Sequence, residues 1–485
     1  MQPQEELRVE VSFSQSHACT FTLQKGSCEL WGCELALGKP YPIHQGGVKL
    51  ALFTWHGCVI DVDAGGHLEI SYIGIRDETE CQVSFVNTHA QLEAMRDDAA
   101  AAMASDAQTQ TQGPRVLIVG PPESGKTSLC KTLIAYACKL GRTPLWVDLD
   151  PMENALSVPG TLAVAPMTAA AVTVETYCTT GLPPNSIHPL VEWHGSSNQL
   201  HADLFGAQVE SLAAKINQRL EGDEQARSSG IIVDTNGSMI QDEGFEMLKK
   251  VADSLQITVI LVMGHDRLYS MLTTHYKTNA NSSSSSPEPQ EGAVKILKLP
   301  RSGGIVSRST DYTRSARSRS VKRYFYGDMV DPPATATSSS TTSSSAKNAS
   351  GTSTNTATAP AKVPQLTPFL LQLPFGDITI YKLSSIALSA SLLPVAAAQS
   401  TDAIQIQKVE WAEALQHMVL AVCHPAAVEK YETSQRARDL VTAGVAGFCA
   451  VERVIMETDM VHLLSPCAGS LPSQTLLCGD VTWME

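Results

Sequence analysis

The sequence has little positive charge and few aromatic residues. It contains 35 Lys and Arg against 49 Asp and Glu, a formal net charge of −14 at pH 7, and aromatic residues make up 6% of the chain. A protein that coats nucleic acid needs a basic surface to neutralise phosphates. The composition therefore argues against such a coat, and we expect any contact with RNA to be weak or indirect.

The sequence also lacks a metal-ligating cysteine pattern and a long apolar run. Among 12 cysteines there is no CxxC pair and no Cys/His cluster with the spacing of zinc ligands. The most apolar stretches, such as LAVAPMTAAAVTV, are shorter than the roughly 20 residues that cross a bilayer. The start, MQPQEELRVEV, does not resemble a signal peptide. We expect reduced thiols and no membrane association.

With 485 residues, the chain is too long for a single core, and composition divides it into regions. Residues 1–100 hold short alternating runs, such as LRVEVSF, CTFTLQ and CQVSFVN, which predict a small antiparallel sandwich or barrel. Residues 101–330 alternate apolar runs, such as RVLIVG and GIIVDT, with helical segments. This pattern predicts an α/β domain with a mainly parallel sheet.

Two low-complexity segments interrupt this pattern. Residues 278–291 lie within the α/β region, and residues 331–362 are dominated by Ser, Thr, Ala and Pro. Such segments bury too little apolar surface to offset the entropy of ordering, so we predict that both are disordered. The second marks a linker, after which residues 363–485 are predicted to form a small, mostly β domain.

Residues 120–128, GPPESGKTS, follow an apolar run and match the pattern GxxxxGK[ST]. In such loops backbone N–H groups surround phosphates and the next helix offers its positive end. Lys126 would reach the β- and γ-phosphates, and Thr127 would bind Mg²⁺. The alternative is an accidental glycine turn. We assign to the nucleotide site Glu123, Ser124, Gly125, Lys126, Thr127 and Ser128.

Carboxylates end two of the apolar strands beside this loop. Asp148 and Asp150 end LWVDLD, and Asp234 ends IIVDT. An acid in this place can hold Mg²⁺ or accept a proton from an attacking hydroxyl, and it can also be a simple turn residue. Asp150 is the preferred candidate for the metal or for a catalytic base. The sequence has no [NT]KxD motif for guanine, which argues against a GTPase.

A basic segment, LPRSGGIVSRSTDYTRSARSRSVKRYFYG, follows the α/β strands. Three interpretations stay open: a solvated helix face, a patch for nuclear import or phosphate, and a lid that brings cations to the γ-phosphate. Its cationic residues are Arg301, Arg308, Arg314, Arg317, Arg319, Lys322 and Arg323.

Several stretches along the chain resemble one known family. They include VKLALFTWHGC, GPRVLIVGPPESGKTSLCKTL, LDPMENALSVPGT, LPRSGGIVSRS and VAGFCAVERV. In order and spacing they resemble the Clp-type subunit of the eukaryotic mRNA cleavage and polyadenylation machinery, part of cleavage factor IA in yeast and related to the polynucleotide 5′-hydroxyl kinases. The resemblance implies an N-terminal β domain, a central P-loop ATPase-like domain and a small C-terminal domain.

The resemblance also implies ligands and partners. ATP and Mg²⁺ would be the cofactors, Glu6 and Lys49 would contact the adenine side, and the location would be nuclear. Partners would be other cleavage and polyadenylation subunits, among them the large scaffold subunit that binds the RNA polymerase II tail.

Animal members of this family resemble RNA 5′-hydroxyl kinases, whereas the budding-yeast type resembles a structural subunit that binds ATP. Departures from the kinase pattern occur in three segments: Pro151, Met152 and Glu153 after Asp150; Ser238 in place of a Trp; and Thr313 in place of one of two lid Arg residues. We therefore expect an ATP-binding scaffold without turnover. The alternatives are a kinase that uses Asp150, Lys126 and Arg308, and an NTPase switch.

Overall fold

The structure, a computed structural model, describes most of the chain. The described ranges are 1–12, 19–43, 46–64, 68–105, 111–177, 188–197, 201–240, 242–283, 294–330, 363–384, 404–410 and 415–484. Within them, no helix has the length and apolar character needed to cross a membrane. The cysteines in these ranges are free thiols, and nearly all of them are buried.

The N-terminal strands form two packed sheets with the orders β4-β3-β6-β1-β8 and β5-β2-β7. The strands are β1 (Glu5–Val11), β2 (Cys19–Gly26), β3 (Glu29–Leu30), β4 (Cys33–Glu34), β5 (Pro40–Ile43), β6 (Lys49–Thr54), β7 (Cys58–Asp63) and β8 (Leu68–Gly74). Apolar side chains such as Val9, Phe21 and Leu52 are buried between them, which follows from the alternating sequence pattern. The predicted β-sandwich is confirmed.

The prediction that CQVSFVN is a strand is wrong, because this run begins a helix. After α1 (Arg76–Thr79), α2 spans Cys81–Ser105. Its buried residues Cys81, Phe85 and Leu92 have the spacing of one helix face. A run of only seven residues with alternating polarity fits a helix as well as a strand, so the sequence alone did not separate the two. Helix α2 then contacts the central region, where the buried Arg96 donates from Nε to the Ser229 carbonyl at 2.9 Å.

The central region holds a seven-stranded sheet with the order β12-β11-β10-β13-β9-β14-β15. The strands from β10 to β15 in this order are parallel, as predicted, whereas β11 and β12 form an antiparallel edge that the sequence did not reveal. The strands are β9 (Arg115–Val119), β10 (Leu145–Leu149), β11 (Thr161–Pro166), β12 (Leu190–Trp193), β13 (Ile231–Thr235), β14 (Val259–Met263) and β15 (Lys295–Leu299).

Helices cover this sheet and connect its strands. They are α3 (Lys126–Lys139), α4 (Val174–Tyr177), α5 (Ala202–Gly222), α6 (Glu224–Ser229), α7 (Asp242–Ser254), α8 (Asp266–Ser283) and α9 (Thr310–Tyr326). Because α8 continues to Ser283, residues 278–283 are helical and do not belong to a disordered insertion. Residues 284–291 and 331–362, which were also predicted to be disordered, lie outside the described residues.

The C-terminal region is mostly β, as predicted. Its seven-stranded sheet has the order β18-β23-β22-β21-β24-β19-β20. After a two-stranded ribbon of β16 (Met329–Val330) and β17 (Val363–Pro364), the elements are β18 (Phe369–Pro374), β19 (Thr379–Ser384), β20 (Gln405–Lys408), β21 (Met418–Cys423), α10 (Pro425–Ser434), α11 (Ala437–Val441), β22 (Val445–Ile455), β23 (Met460–Ser465) and β24 (Thr475–Thr482).

A close backbone contact joins this sheet to the central region. The Asp480 N–H donates to the Gly195 carbonyl at 2.7 Å, and Ser196 Oγ donates to Asp480 Oδ2 at 2.7 Å. A Cβ placed on Gly479 would lie 1.7 Å from the Gly195 oxygen. The contact therefore requires glycine at position 479.

We predict that Gly479→Ala lowers the free energy of unfolding by about 1–3 kcal/mol, because the added methyl group must force the two backbones apart. Urea denaturation followed by tryptophan fluorescence measures the change. Gly376→Ala is the matched control, since its Cβ would meet no described atom within 4 Å. Equal stabilities of the two variants would contradict the proposed packing constraint.

Candidate functional site

The loop at residues 120–128 makes a sharp turn from β9 into α3. Gly125, immediately before the helix, has a φ of +88°, a left-handed conformation that glycine adopts without steric cost. Gly120 has no room for a side chain, because a Cβ there would lie 2.9 Å from both Met263 Cβ and Ser124 Oγ. The first N–H groups of a helix lack carbonyl partners within it, so the turn presents donors to the adjoining cavity.

Two side chains of the loop are held by hydrogen bonds, and a third is buried without a partner. Lys126 is buried and donates from Nζ to the Pro121 carbonyl at 3.0 Å, while Thr127 Oγ1 donates to Asp234 Oδ2 at 2.5 Å. The Ser124 hydroxyl is buried without a hydrogen-bond partner. A buried polar atom without a partner is costly, so the loop has unused capacity for a polar ligand.

Asp148 and Asp234 lie side by side on neighbouring parallel strands, and both are almost fully buried. Burial raises the pKa of Asp148 well above its usual range, and the neighbouring Asp234 adds to the rise. Burial also raises the pKa of Asp234 to about 6, although the Lys126 ammonium and the Thr127 hydroxyl oppose it. Both carboxyl groups therefore bind a proton more readily than an exposed aspartate does.

The two acids of LWVDLD lie in different settings. Asp148 accepts backbone hydrogen bonds from Asp150 at 3.0 Å and Ala155 at 2.7 Å, so it shapes the turn that follows β10. Asp150 faces the cavity and accepts hydrogen bonds from Asn236 Nδ2 at 2.8 Å and from the Met152 N–H at 2.9 Å. The structure thus places Asp150, and not Asp148, where a ligand could meet a carboxylate.

One cavity of about 670 Å³ lies between the N-terminal sheet, the 120–128 loop and helix α9. Residues assigned to the nucleotide site in the N-terminal region and in the central region all line this cavity, and so do Asp150 and Arg308. The predicted lining residues are Glu6, Lys49, Glu123, Ser124, Gly125, Lys126, Thr127 and Ser128.

The N-terminal wall of the cavity is charged and held by ion pairs. Glu6 is buried and accepts from Arg8 Nε at 2.7 Å. Lys49 lies 3.1 Å from Glu10 Oε2, and its ammonium sits 5.0 Å from the centre of the Tyr312 ring. Glu6 and Lys49 thus face the cavity from two adjacent strands, and both residues are far from the phosphate loop in sequence.

Sequence reasoning missed several lining residues. Arg8 follows Glu6 on the same strand face, and Asn236 comes directly after IIVDT, so strand alternation and position could have indicated both. No sequence signal indicated Trp31, whose ring lies 4.6 Å from Lys131 Nζ, because this contact joins the sandwich to α3 across the fold.

The basic segment does not form one surface. Arg308 and Arg317 line the cavity, whereas Arg319 donates to the Gly47 carbonyl at 3.4 Å and Arg323 pairs with Asp328 at 2.7 Å. Arg314, which follows Thr313 in the predicted lid, is exposed and does not line the cavity. Arg308 and Arg317 therefore lie where the lid interpretation requires cations, whereas Arg319 and Arg323 make packing contacts within the chain.

The turn after Asp150 approaches this lid. Arg308 Nη1 lies 2.5 Å from Glu153 Oε2, and Arg317 Nε donates to the Met152 carbonyl at 2.9 Å. Met152, Glu153 and Ser238 line the cavity. Thr313 lines it as well, so the residues that depart from the kinase pattern, apart from Pro151, are part of the site.

Comparisons with known proteins agree across the chain. Residues 1–99 match the family described as the N-terminal beta-sandwich domain of polyadenylation factor, and residues 120–327 match the mRNA cleavage and polyadenylation factor CLP1 P-loop. Residues 366–485 match the pre-mRNA cleavage complex II protein Clp1. The resemblance inferred from sequence motifs is confirmed.

Relatives and a solved structure extend over nearly the whole chain. Protein CLP1 homolog of Dictyostelium discoideum is 31% identical, covering 99% of this chain and 88% of the relative. The mRNA cleavage and polyadenylation factor clp1 of Emericella nidulans is 32% identical, covering 98% and 92%. In fold, the chain is similar to the wild-type Clp1p–Pcf11p (454–563) complex, with a TM-score of 0.73, 21% identity and coverage of 100% and 97%. The chain therefore belongs to the family of the mRNA cleavage and polyadenylation factor CLP1.

Proposed function

We propose that this chain is a nuclear, ATP-binding scaffold subunit of the pre-mRNA 3′-end cleavage and polyadenylation complex, without catalytic turnover. Family membership supports the assignment to this machinery. One observation supports the nucleotide role above all others: a complete GxxxxGK[ST] loop and the predicted adenine-side residues Glu6 and Lys49 line a single cavity.

The residues of the cavity fit ATP with Mg²⁺. Its volume of about 670 Å³ is within the usual range for small-ligand sites. The loop N–H groups, Lys126 and the unpartnered Ser124 hydroxyl would hold phosphates. Thr127 would bind Mg²⁺, and Asp150 could reach it directly or through water. Among the described residues no group of His, Cys, Asp and Glu fits a metal by itself, so Mg²⁺ would enter with the nucleotide.

A ligand in this position would hold three parts of the chain together. The cavity has walls from the N-terminal sheet, the central loop and helix α9, so one bound molecule would contact all three. A ligand that binds only the folded chain stabilises it by RT ln(1 + [L]/Kd), which is about 4 kcal/mol at a thousandfold excess. A nucleotide that is bound and not hydrolysed would therefore stabilise the folded chain.

The acceptor side of the cavity supports retention of the nucleotide. Ser238 cannot stack on a base, a contact typically worth about 1–3 kcal/mol. Asp150 already accepts two hydrogen bonds, and the Arg308 guanidinium contacts Glu153. Loss of a transition-state arginine can lower a phosphoryl-transfer rate about 10³- to 10⁵-fold. These features favour holding ATP over transferring its γ-phosphate.

The partner is proposed from a structural relative. In the solved complex, Clp1p is bound to Pcf11p, and this chain has the same fold as that Clp1p. We infer that this chain also docks a large scaffold subunit, the one that binds the RNA polymerase II tail, and joins other cleavage and polyadenylation subunits. Its net charge of −14 fits RNA contact that is weak or indirect.

The second candidate function is an RNA 5′-hydroxyl kinase. It is favoured by the presence of Asp150, Lys126 and Arg308 in the same cavity. In that function Asp150 would accept the proton of the RNA hydroxyl, and the two cations would stabilise charge at the transferred phosphoryl group.

We predict that Lys126→Ala weakens ATP binding about 10- to 100-fold, because a charge-assisted hydrogen bond contributes about 1.5–3 kcal/mol. Isothermal titration calorimetry with Mg-ATP measures the affinity. Lys139→Ala, which removes an exposed lysine at the end of the same helix, should leave it unchanged. Equal affinities of the wild type and Lys126→Ala would rule out the loop as the phosphate site.

For the scaffold function, we predict no transfer of phosphate from labelled ATP to RNA with a 5′-hydroxyl end. Incubation of the purified full chain with both substrates, followed by gel analysis, provides the measurement. Labelling of RNA that disappears in the Lys126→Ala variant would establish the kinase instead.

A further inference from the structure

Arg308 contacts two carboxylates that belong to different segments of the cavity wall. Its backbone N–H donates to Glu123 Oε1 at 2.5 Å, and its Nε lies 3.8 Å from the same oxygen. Its Nη1 lies 2.5 Å from Glu153 Oε2. Glu123 belongs to the phosphate loop and Glu153 to the turn after Asp150, so the guanidinium spans the region between them.

The segment that carries Arg308 is fixed at several further points. Arg301 Nη2 donates to the Glu123 carbonyl at 3.2 Å, and Arg317 Nε donates to the Met152 carbonyl at 2.9 Å. These contacts hold the segment against the phosphate loop at one end and against the turn after Asp150 at the other. The direction of the Arg308 side chain therefore depends mainly on which acceptor attracts the guanidinium.

The pair between Arg308 and Glu153 is shielded in part from water. The exposed fractions of the two side chains are 33% and 29%. A fully exposed ion pair contributes little, but partial burial lowers the local dielectric constant and strengthens the attraction. A phosphate that approaches Arg308 must compete with this carboxylate, which is aligned for a charge-assisted hydrogen bond.

We propose that Glu153 is a positioning residue that draws the Arg308 guanidinium away from the terminal phosphate, and thereby reduces the discrimination between ATP and ADP. This inference rests on the proposed function, since it presupposes a nucleotide in the cavity. ATP and ADP differ by the terminal phosphate, so a cation withheld from that group lowers the affinity for ATP and leaves the affinity for ADP nearly unchanged.

The test compares affinities for Mg-ATP and Mg-ADP, measured by titration calorimetry on the full-length chain. Glu153→Gln keeps the size of the side chain and removes its charge, so it should raise the ratio Kd(ADP)/Kd(ATP) about tenfold, through a stronger affinity for ATP. Glu246→Gln, which neutralises a largely exposed acid on α7, is the matched control and should leave the ratio unchanged.

A double-variant cycle separates positioning from a general charge effect. In an Arg308→Ala background, adding Glu153→Gln should change the ratio less than about twofold, because the gain requires the guanidinium. A ratio that stays at the wild-type value in Glu153→Gln overturns the inference, and so does a gain that persists without Arg308. If Glu153→Gln fails to fold, Glu153→Ala gives the same test.

The failure of the proposed function would look different. A wild-type chain that binds neither nucleotide would refute the ATP site itself, and the inference would fall with it. A wild-type chain that binds both nucleotides, with a ratio insensitive to Glu153, would refute only the role of Glu153.

Discussion

The site depends on the turn at residues 120–128, where the chain passes from a buried parallel strand into a helix. Parallel strands end at one edge of the sheet, so this turn lies beside Asp234 of the adjacent β13 and close to Asp150, which follows β10. The left-handed conformation of Gly125 starts α3 at the point where its positive end faces the cavity. The turn also supplies Thr127, whose hydroxyl donates to Asp234 Oδ2 at 2.5 Å.

The N-terminal sandwich completes the site from the other side. Glu6 and Lys49 come from adjacent strands of its five-stranded sheet, and the cavity contacts helix α9 as well. A ligand there would link three parts of the chain that are far apart in sequence. In the proposed scaffold function, binding energy that a kinase would use for transfer instead stabilises one arrangement of these parts, which suits a subunit that presents surfaces to partners.

The sequence predicted the fold class and the phosphate loop, because both follow from local patterns. Glu6 and Lys49 were assigned through the family resemblance, and Arg8, Asn236 and Trp31 of the cavity wall were missed. Strand runs such as RVLIVG are short and apolar, and the phosphate loop has a fixed spacing. The helical start of α2 was missed because alternation in CQVSFVN fits two periodicities, and tertiary packing of Phe85 decides between them. The contact of Arg308 with Glu153 joins residues 155 positions apart, a separation that no local pattern encodes.

The central claim, that ATP is held and not consumed, is tested most directly by the nucleotide that accompanies the protein. The full chain would be purified without added nucleotide and denatured, and the released nucleotide would be identified by ion-exchange chromatography. The account predicts nearly stoichiometric ATP, which persists on storage of the native protein with Mg²⁺. Recovery of mainly ADP, or steady conversion of added ATP to ADP, would contradict it.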